Sequence, residues 1–215
     1  MSRMNRKLIM GLLSILKTLS DDVNDAADSL GRSTVVDYGE PAYTLYTALR
    51  LGDMHRRIDV TDEQENVKYY TKSSIIAIKG KTDIMDADGN LVANLEKRPV
   101  SLHEIHYVTM ADGTKFTLSN ELFHVAEDIT NIAELGWQIR GNLLGLSFNL
   151  VDGNEEPLAT VGKKAISMHD KYYIDIYQPD YEDMIVAVVI QLEKMLEARR
   201  ENESSSGISF GSNNG

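Results

Sequence analysis

Few side chains in this sequence stand close enough together to do chemistry, and the nearest set is His103-Glu104-Ile105-His106. A zinc-hydrolase motif needs two histidines four residues apart on a helix, so that both imidazoles meet one metal. Here the spacing is three and the surroundings read as a strand, which sends the two rings to opposite faces. Asp86-Ala87-Asp88-Gly89-Asn90 has the acid-rich look of a calcium loop. Such a loop places glycine sixth and a glutamate twelfth; here the glycine is fourth and the twelfth residue is Lys97. A plain hairpin turn accounts for the same residues. Ser101 with His103, and Ser167 with His169, repeat a Ser-x-His-acid pattern. Triad members come from separate segments converging in space, so the repetition argues for a structural role at turns and strand ends. With no cysteine in 215 residues, thiolate catalysis, disulfides and Cys-based zinc sites are excluded. The sequence predicts no catalytic residue, no metal ligand and no cofactor.

Binding chemistry has more to offer. Lys97-Arg98 and Lys163-Lys164 are repeated basic pairs; on strands they could meet an anionic head group, or they protect a charged outer face or edge. Gly141 and Gly145 fall in what reads as an alternating strand, and suit barrel bends better than phosphate binding. Trp137, the single tryptophan, belongs in the core or at a packing corner. The net charge of −11 repels nucleic acid, whose binding rests on Lys and Arg contacts to phosphate. No run reaches the ~20 apolar residues that cross a bilayer.

From residue 43 onward the elements are β. Leu144, Leu146, Phe148 and Leu150 alternate with Gly145, Ser147 and Asn149; Tyr172, Ile174 and Ile176 alternate around Asp175; Ile58 and Val60 flank Asp59. Each pattern buries one face and wets the other. Asp88-Gly89-Asn90, Asp112-Gly113-Thr114 and Asp152-Gly153-Asn154 supply the positive φ of tight hairpins, and residues 62–66 take an equivalent place without glycine. The hairpins repeat. Val92-Ala93, Lys97-Arg98 and Ser101-Leu102-His103-Glu104 recur as Leu158-Ala159, Lys163-Lys164 and Ser167-Met168-His169-Asp170, offset by 66 residues. The turns align at an offset of 64, which makes the second hairpin two residues longer. Duplicated strand-turn-strand units follow.

After Pro179 the pattern changes. Residues 184–190 are wholly apolar, and Leu192, Met195 and Leu196 continue the run. Asp180 as a cap, Glu182 and Asp183 in the first turn, and Arg199-Arg200 at the close predict a helix over 180–200. A helix apolar on every side must be buried on every side, and a closed barrel lumen provides that. The fold expected is mainly β: a closed antiparallel barrel of about twelve strands around a hydrophobic C-terminal helix. An N-terminal amphipathic helix is expected over 1–30, with a linker over 31–42, the barrel domain over 43–200 and a disordered polar tail over 201–215. In the N-terminal helix Arg3, Arg6, Lys7, Leu12, Leu16 and Lys17 are the candidate membrane or partner contacts. Bases precede acids there, against the helix dipole, so that helix needs a partner surface. The run Leu8–Leu16 resembles a short signal segment, but Lys17 interrupts it and no cleavage site follows directly.

Ile84-Met-Asp-Ala-Asp-Gly-Asn90, Lys97-Arg-Pro-Val-Ser-Leu102, Gly136-Trp137, Gly141-Asn-Leu-Leu-Gly145, Lys163-Lys-Ala-Ile-Ser-Met168 and the apolar helix, taken in order, resemble the LURP-one-related (LOR) family. That family is part of the tubby-like and phospholipid scramblase-like superfamily. The resemblance covers roughly residues 43–198 and implies a barrel of about twelve strands around a central helix. Tubby proteins bind phosphoinositides and scramblases associate with membranes; neither group's ligand residues match here, and fold alone does not carry function. The function expected is a non-enzymatic, cytoplasmic binding or scaffold protein that docks peripherally at a membrane surface. The alternatives are a soluble protein-interaction or oligomerisation module using the N-terminal helix, and an enzyme with a site at a barrel rim.

Overall fold

The computed structural model describes residues 35–48, 57–73, 80–98, 105–119, 129–163 and 171–206; the expected N-terminal helix lies outside them. Twelve strands follow one another: β1 (Tyr43–Ala48), β2 (Asp59–Thr61), β3 (Val67–Ser73), β4 (Lys81–Asp86), β5 (Leu91–Arg98), β6 (Ile105–Met110), β7 (Lys115–Ser119), β8 (Ile129–Ile132), β9 (Trp137–Asn142), β10 (Ser147–Val151), β11 (Pro157–Lys163) and β12 (Lys171–Ile176). A 3₁₀ turn, Pro179–Tyr181, leads into helix α1 (Glu182–Ser206). All strands belong to one antiparallel sheet in the order β7-β6-β5-β4-β3-β2-β1-β12-β11-β10-β9-β8. Sequence neighbours are therefore sheet neighbours, and β1 closes onto β12 in register from Tyr43↔Ile176 to Ala48↔Lys171. The two remaining edges, β7 and β8, lie side by side. Thr117 Oγ1 of β7 donates to Glu134 Oε1 of the β8–β9 turn at 2.6 Å across that seam.

Alternation drives the closure. β6 and β8 bury every second residue, and those residues face the axis occupied by α1. Val186, Val188, Ile190 and Leu192 are all 0 % exposed. Val186, Val188 and Ile190 are β-branched and weak at forming an isolated helix. Burial overrides that weakness, since each such side chain removed from water contributes about 1.5–3 kcal/mol. The helix boundaries differ from those expected. Asp180 sits inside the 3₁₀ turn rather than capping α1. The helix also runs on to Ser206, so Arg199-Arg200 lies within it, not at its close, and the first residues of the expected tail are helical.

The duplication is structural. β4, β5 and β6 begin 66 residues before β10, β11 and β12, and both hairpins carry a register shift at matching places, Ile84/Met85 and Leu150/Val151. The turn alignment differs from the one read in the sequence. Asp86 matches Asp152: each accepts the backbone N–H four residues on, from Asn90 at 2.8 Å and from Glu156 at 2.9 Å. The offset is again 66, so the second hairpin is no longer than the first. Positive φ falls on Gly89 (85°) in one turn and on Glu155 (68°) in the other, not on Gly153; Glu65 (65°) takes the same place after Asp62. A second correction concerns Leu144 and Leu146. Residues 143–146 form the β9–β10 turn, with Leu146 at φ 49°, and β10 starts at Ser147. Gly145 lies in that turn, where its N–H donates to Asn142 Oδ1 at 3.0 Å.

Candidate functional site

The helix enters the barrel through a collar of phenols and carboxylates. Tyr43 opens β1 and Tyr69 faces inward from β3. Tyr43 Oη donates to Glu182 Oε2, and Tyr69 Oη lies 2.7 Å from both Glu182 Oε1 and Asp183 Oδ1. A phenol has one proton, so Tyr69 shares it between two acceptors. Burial first, then the adjoining carboxylates, push both phenols well above their usual range. At neutral pH they are donors, not bases. The carboxylates in turn sit at the positive end of the helix dipole. Beside them Tyr181 meets Trp137 edge-on, with centroids 5.7 Å apart, which places the tryptophan at a packing corner. This arrangement holds a helix end; two occupied carboxylates and two un-ionised phenols are not a nucleophile-and-base pair.

Further along the axis the interior turns polar. Glu193 is 2 % exposed. Thr47 Oγ1 donates to its Oε2 at 3.3 Å, and its Oε1 has no partner. Burial pushes the carboxyl up to about 7; the Thr47 bond pulls the other way and the Glu197 charge adds to the rise. Thr71, Thr82, Thr130, His106 and Gln191 are also buried. Lys97 is opposite His106 in register, and Lys163 is opposite Tyr172 at the matching place in the second half. Directly opposed residues share a face, so the repeated basic positions Lys97 and Lys163 lie on the inward face at the barrel's far rim. Arg98 ends β5 at that rim.

One rim is rich in acid. The five hairpin turns 62–66, 86–90, 111–114, 133–136 and 152–156, with the helix entry 177–183, make one end. Together they hold thirteen acidic residues and no lysine or arginine. Asp62, Asp86, Asp112 and Asp152 are held below the usual carboxylate range by hydrogen bonds within their own turns. This accounts for Asp86-Ala-Asp88-Gly-Asn90 as a turn: Asp86 is occupied by the Asn90 backbone and side-chain amides. At the other end, whose long connections lie outside the described residues, the strand termini include Lys72, Lys81, Lys97 and Lys163.

Of the residues singled out in the sequence, Arg3, Arg6, Lys7, Leu12, Leu16 and Lys17 lie outside the described residues, as do Ser101, His103, Lys164, Ser167 and His169. Among the described residues no group of three or more His, Cys, Asp or Glu could hold a metal ion, and no helix is long and apolar enough to cross a membrane. Tyr43, Tyr69 and Glu193 carry no sequence signal of their own. Glu193 is hidden because Leu192, Met195 and Leu196 already satisfy a helical apolar stripe that steps over it.

Fold and site define a β-barrel filled and pinned by its own C-terminal helix. The family model described as LOR, LURP-one-related, matches residues 44–193, from the second residue of β1 to the buried glutamate of α1; the chain belongs to that family. A crystal structure of an Arabidopsis thaliana protein is similar over 73 % of this chain and 93 % of that one, at 16 % identity and a TM-score of 0.44. No curated protein matches.

Proposed function

We propose that the chain is a non-enzymatic binding and scaffold protein that docks reversibly at an anionic membrane surface, on its cytoplasmic face. The observation that carries this reading is the filled interior. With residues 185–193 of α1 almost wholly buried, the lumen is core, and binding falls to the rims and outer faces. The acid-rich rim supports an orientation. The acidic turns point away from the anionic surface, and the end with Lys72, Lys81, Lys97 and Lys163 approaches it. The basic, Leu-rich segment with Arg3, Arg6, Lys7, Leu12, Leu16 and Lys17 adds a second, weaker attachment, whose strength scales with buried apolar area plus electrostatic attraction.

Co-sedimentation of the full chain with phosphatidylserine vesicles tests this. Binding is expected in low salt, lost in high salt through screening, and reduced by the paired reversals Lys72→Glu and Lys163→Glu. Full recovery of the wild-type chain in the supernatant overturns the reading.

A further inference from the structure

The duplicated hairpins carry matching polar pairs on their outer faces, and among the described residues only one pair is engaged by another segment. Asn149 of β10 is opposite Thr160 of β11, and 66 residues earlier Asp83 of β4 is opposite Asn94 of β5. Each pair is hydrogen bonded across the strands: Asn149 Nδ2 donates to Thr160 Oγ1 at 2.8 Å, and Asn94 Nδ2 donates to Asp83 Oδ1 at 2.7 Å. Over the second pair lies the segment before β1. Val36 N–H donates to Asn149 Oδ1 at 2.7 Å, and Asn149 Nδ2 donates to Val36 O at 3.0 Å. One side chain thus reads both backbone groups of a single residue, as a neighbouring strand would. The Tyr38 ring meets Tyr177 edge-on at 6.0 Å, and Thr160 Oγ1 donates to Tyr177 Oη at 3.3 Å. Asn149, Val151, Leu158 and Thr160 are all nearly solvent-free.

On the first hairpin Asp83, Met85 and Asn94 are half-buried, and Leu91 is 48 % exposed. We propose that this face is a docking site for an extended peptide segment of a partner protein, held by its backbone as residues 35–38 are held on the second hairpin. An Asp83 oxygen accepts the segment's N–H, the remaining Asn94 amide hydrogen donates to its carbonyl, and Leu91 and Met85 cover an apolar side chain beside them. Two differences set the partner's chemistry. Asp83 is a carboxylate where Asn149 is an amide, with Lys72 opposite it in register; its oxygens only accept, so the preferred segment offers donors there and is neutral or basic. Ala111 stands where Tyr177 stands in the second half, so the Tyr177 clasp has no counterpart, and the ring that borders this face, Tyr70 opposite Met85, is already covered by the Arg57 guanidinium at 4.1 Å; the docking is reversible. This inference goes beyond membrane docking and does not depend on it; vesicle binding leaves it untouched.

Two fluorophore-labelled peptides spanning residues 35–42, one native and one carrying Asp37→Lys and Glu40→Lys, are titrated with the full chain, and amide shifts locate the contact. The lysine form is expected to bind saturably below about 1 mM, more tightly than the native form, with shifts centred on β4 and β5. Asn94→Ala weakens it at least tenfold. Asp83→Asn, which keeps the shape and an acceptor, retains binding but removes the preference for lysine. No binding of either peptide at that concentration, shifts confined to β10 and β11, or affinities unchanged by both substitutions overturns the proposal. Leu91→Ser, at an exposed position, serves as the weakening variant if Asn94→Ala does not fold.

Discussion

Helix α1 carries carboxylates at the entry to its buried stretch and deep within it, and the barrel treats them in opposite ways. At the entry Glu182 and Asp183 receive phenolic protons from Tyr43 and Tyr69. Two to three turns deeper, Glu193 receives one long bond from Thr47 and is otherwise surrounded by core. The residue chemistry is nearly the same; the supply of donors differs. The entry carboxylates fasten the helix, whereas Glu193 is tolerated there by holding its own proton near neutral pH.

The severest way to break this contrast is to add a carboxylate with no donor at all. Val188→Asp places one midway between the two sites, where the present side chain is 0 % exposed. An unpaired buried charge costs more than a domain of this size can spare, so loss of the cooperative thermal transition is expected. A near-wild-type melt would show that α1 is not the core.

Glu193→Gln sharpens the contrast from the other side. The folded carboxyl titrates near 7 and the unfolded one near 4.5. Between those values the folded state keeps a proton that the unfolded state has lost, so wild-type stability falls as pH rises through that window, by about 1.4 kcal/mol per unit. The glutamine variant is expected to match wild type near pH 4.5 and exceed it at pH 8 in denaturant midpoints. Equal midpoints at both pH values would show that Glu193 is not held neutral.

Tyr69→Phe removes one shared donor from Glu182 and Asp183 and is expected to cost about 2 kcal/mol, more than Tyr43→Phe, because Tyr43 serves only one carboxylate. The smallest effect belongs to carboxylates that never leave water. Asp152→Ala lowers the melting temperature slightly at pH 7. Because the folded carboxyl is held below its usual range, that difference disappears as pH falls below about 4. Turn aspartates thus weaken the fold on the acid side and Glu193 weakens it on the alkaline side, and maximal stability is expected near pH 5.

Local signals carried the barrel's outline. Tyr172, Ile174 and Ile176 alternate because one face of β12 is dry, and the acids of residues 182–183 mark a helix start because the dipole rewards them there. What escaped were choices made by tertiary neighbours. Glu155 accepts a positive φ because Asp152 ties the next residue's N–H, so the glycine nearby is a false guide. Leu146 mimics a strand residue in sequence while it turns the chain. Tyr43 and Glu182 are 139 residues apart, and no short window pairs them. The outer Asn149 is polar in a strand that reads as half-wet; its burial depends on Val36, 113 residues away.

The filled lumen also orders events in time. The segment that fills the barrel follows all twelve strands in the chain, and the closing pair joins the first strand to the last. During synthesis from the N-terminus, all twelve strands precede the helix that shields their inward apolar rows. Ten of the eleven strand pairings join neighbours in the chain and form locally, whereas the β1–β12 pairing and the packing of α1 join distant segments and come late. Closure thus depends on the arrival of β12 and α1 more than on the pairing of any one hairpin.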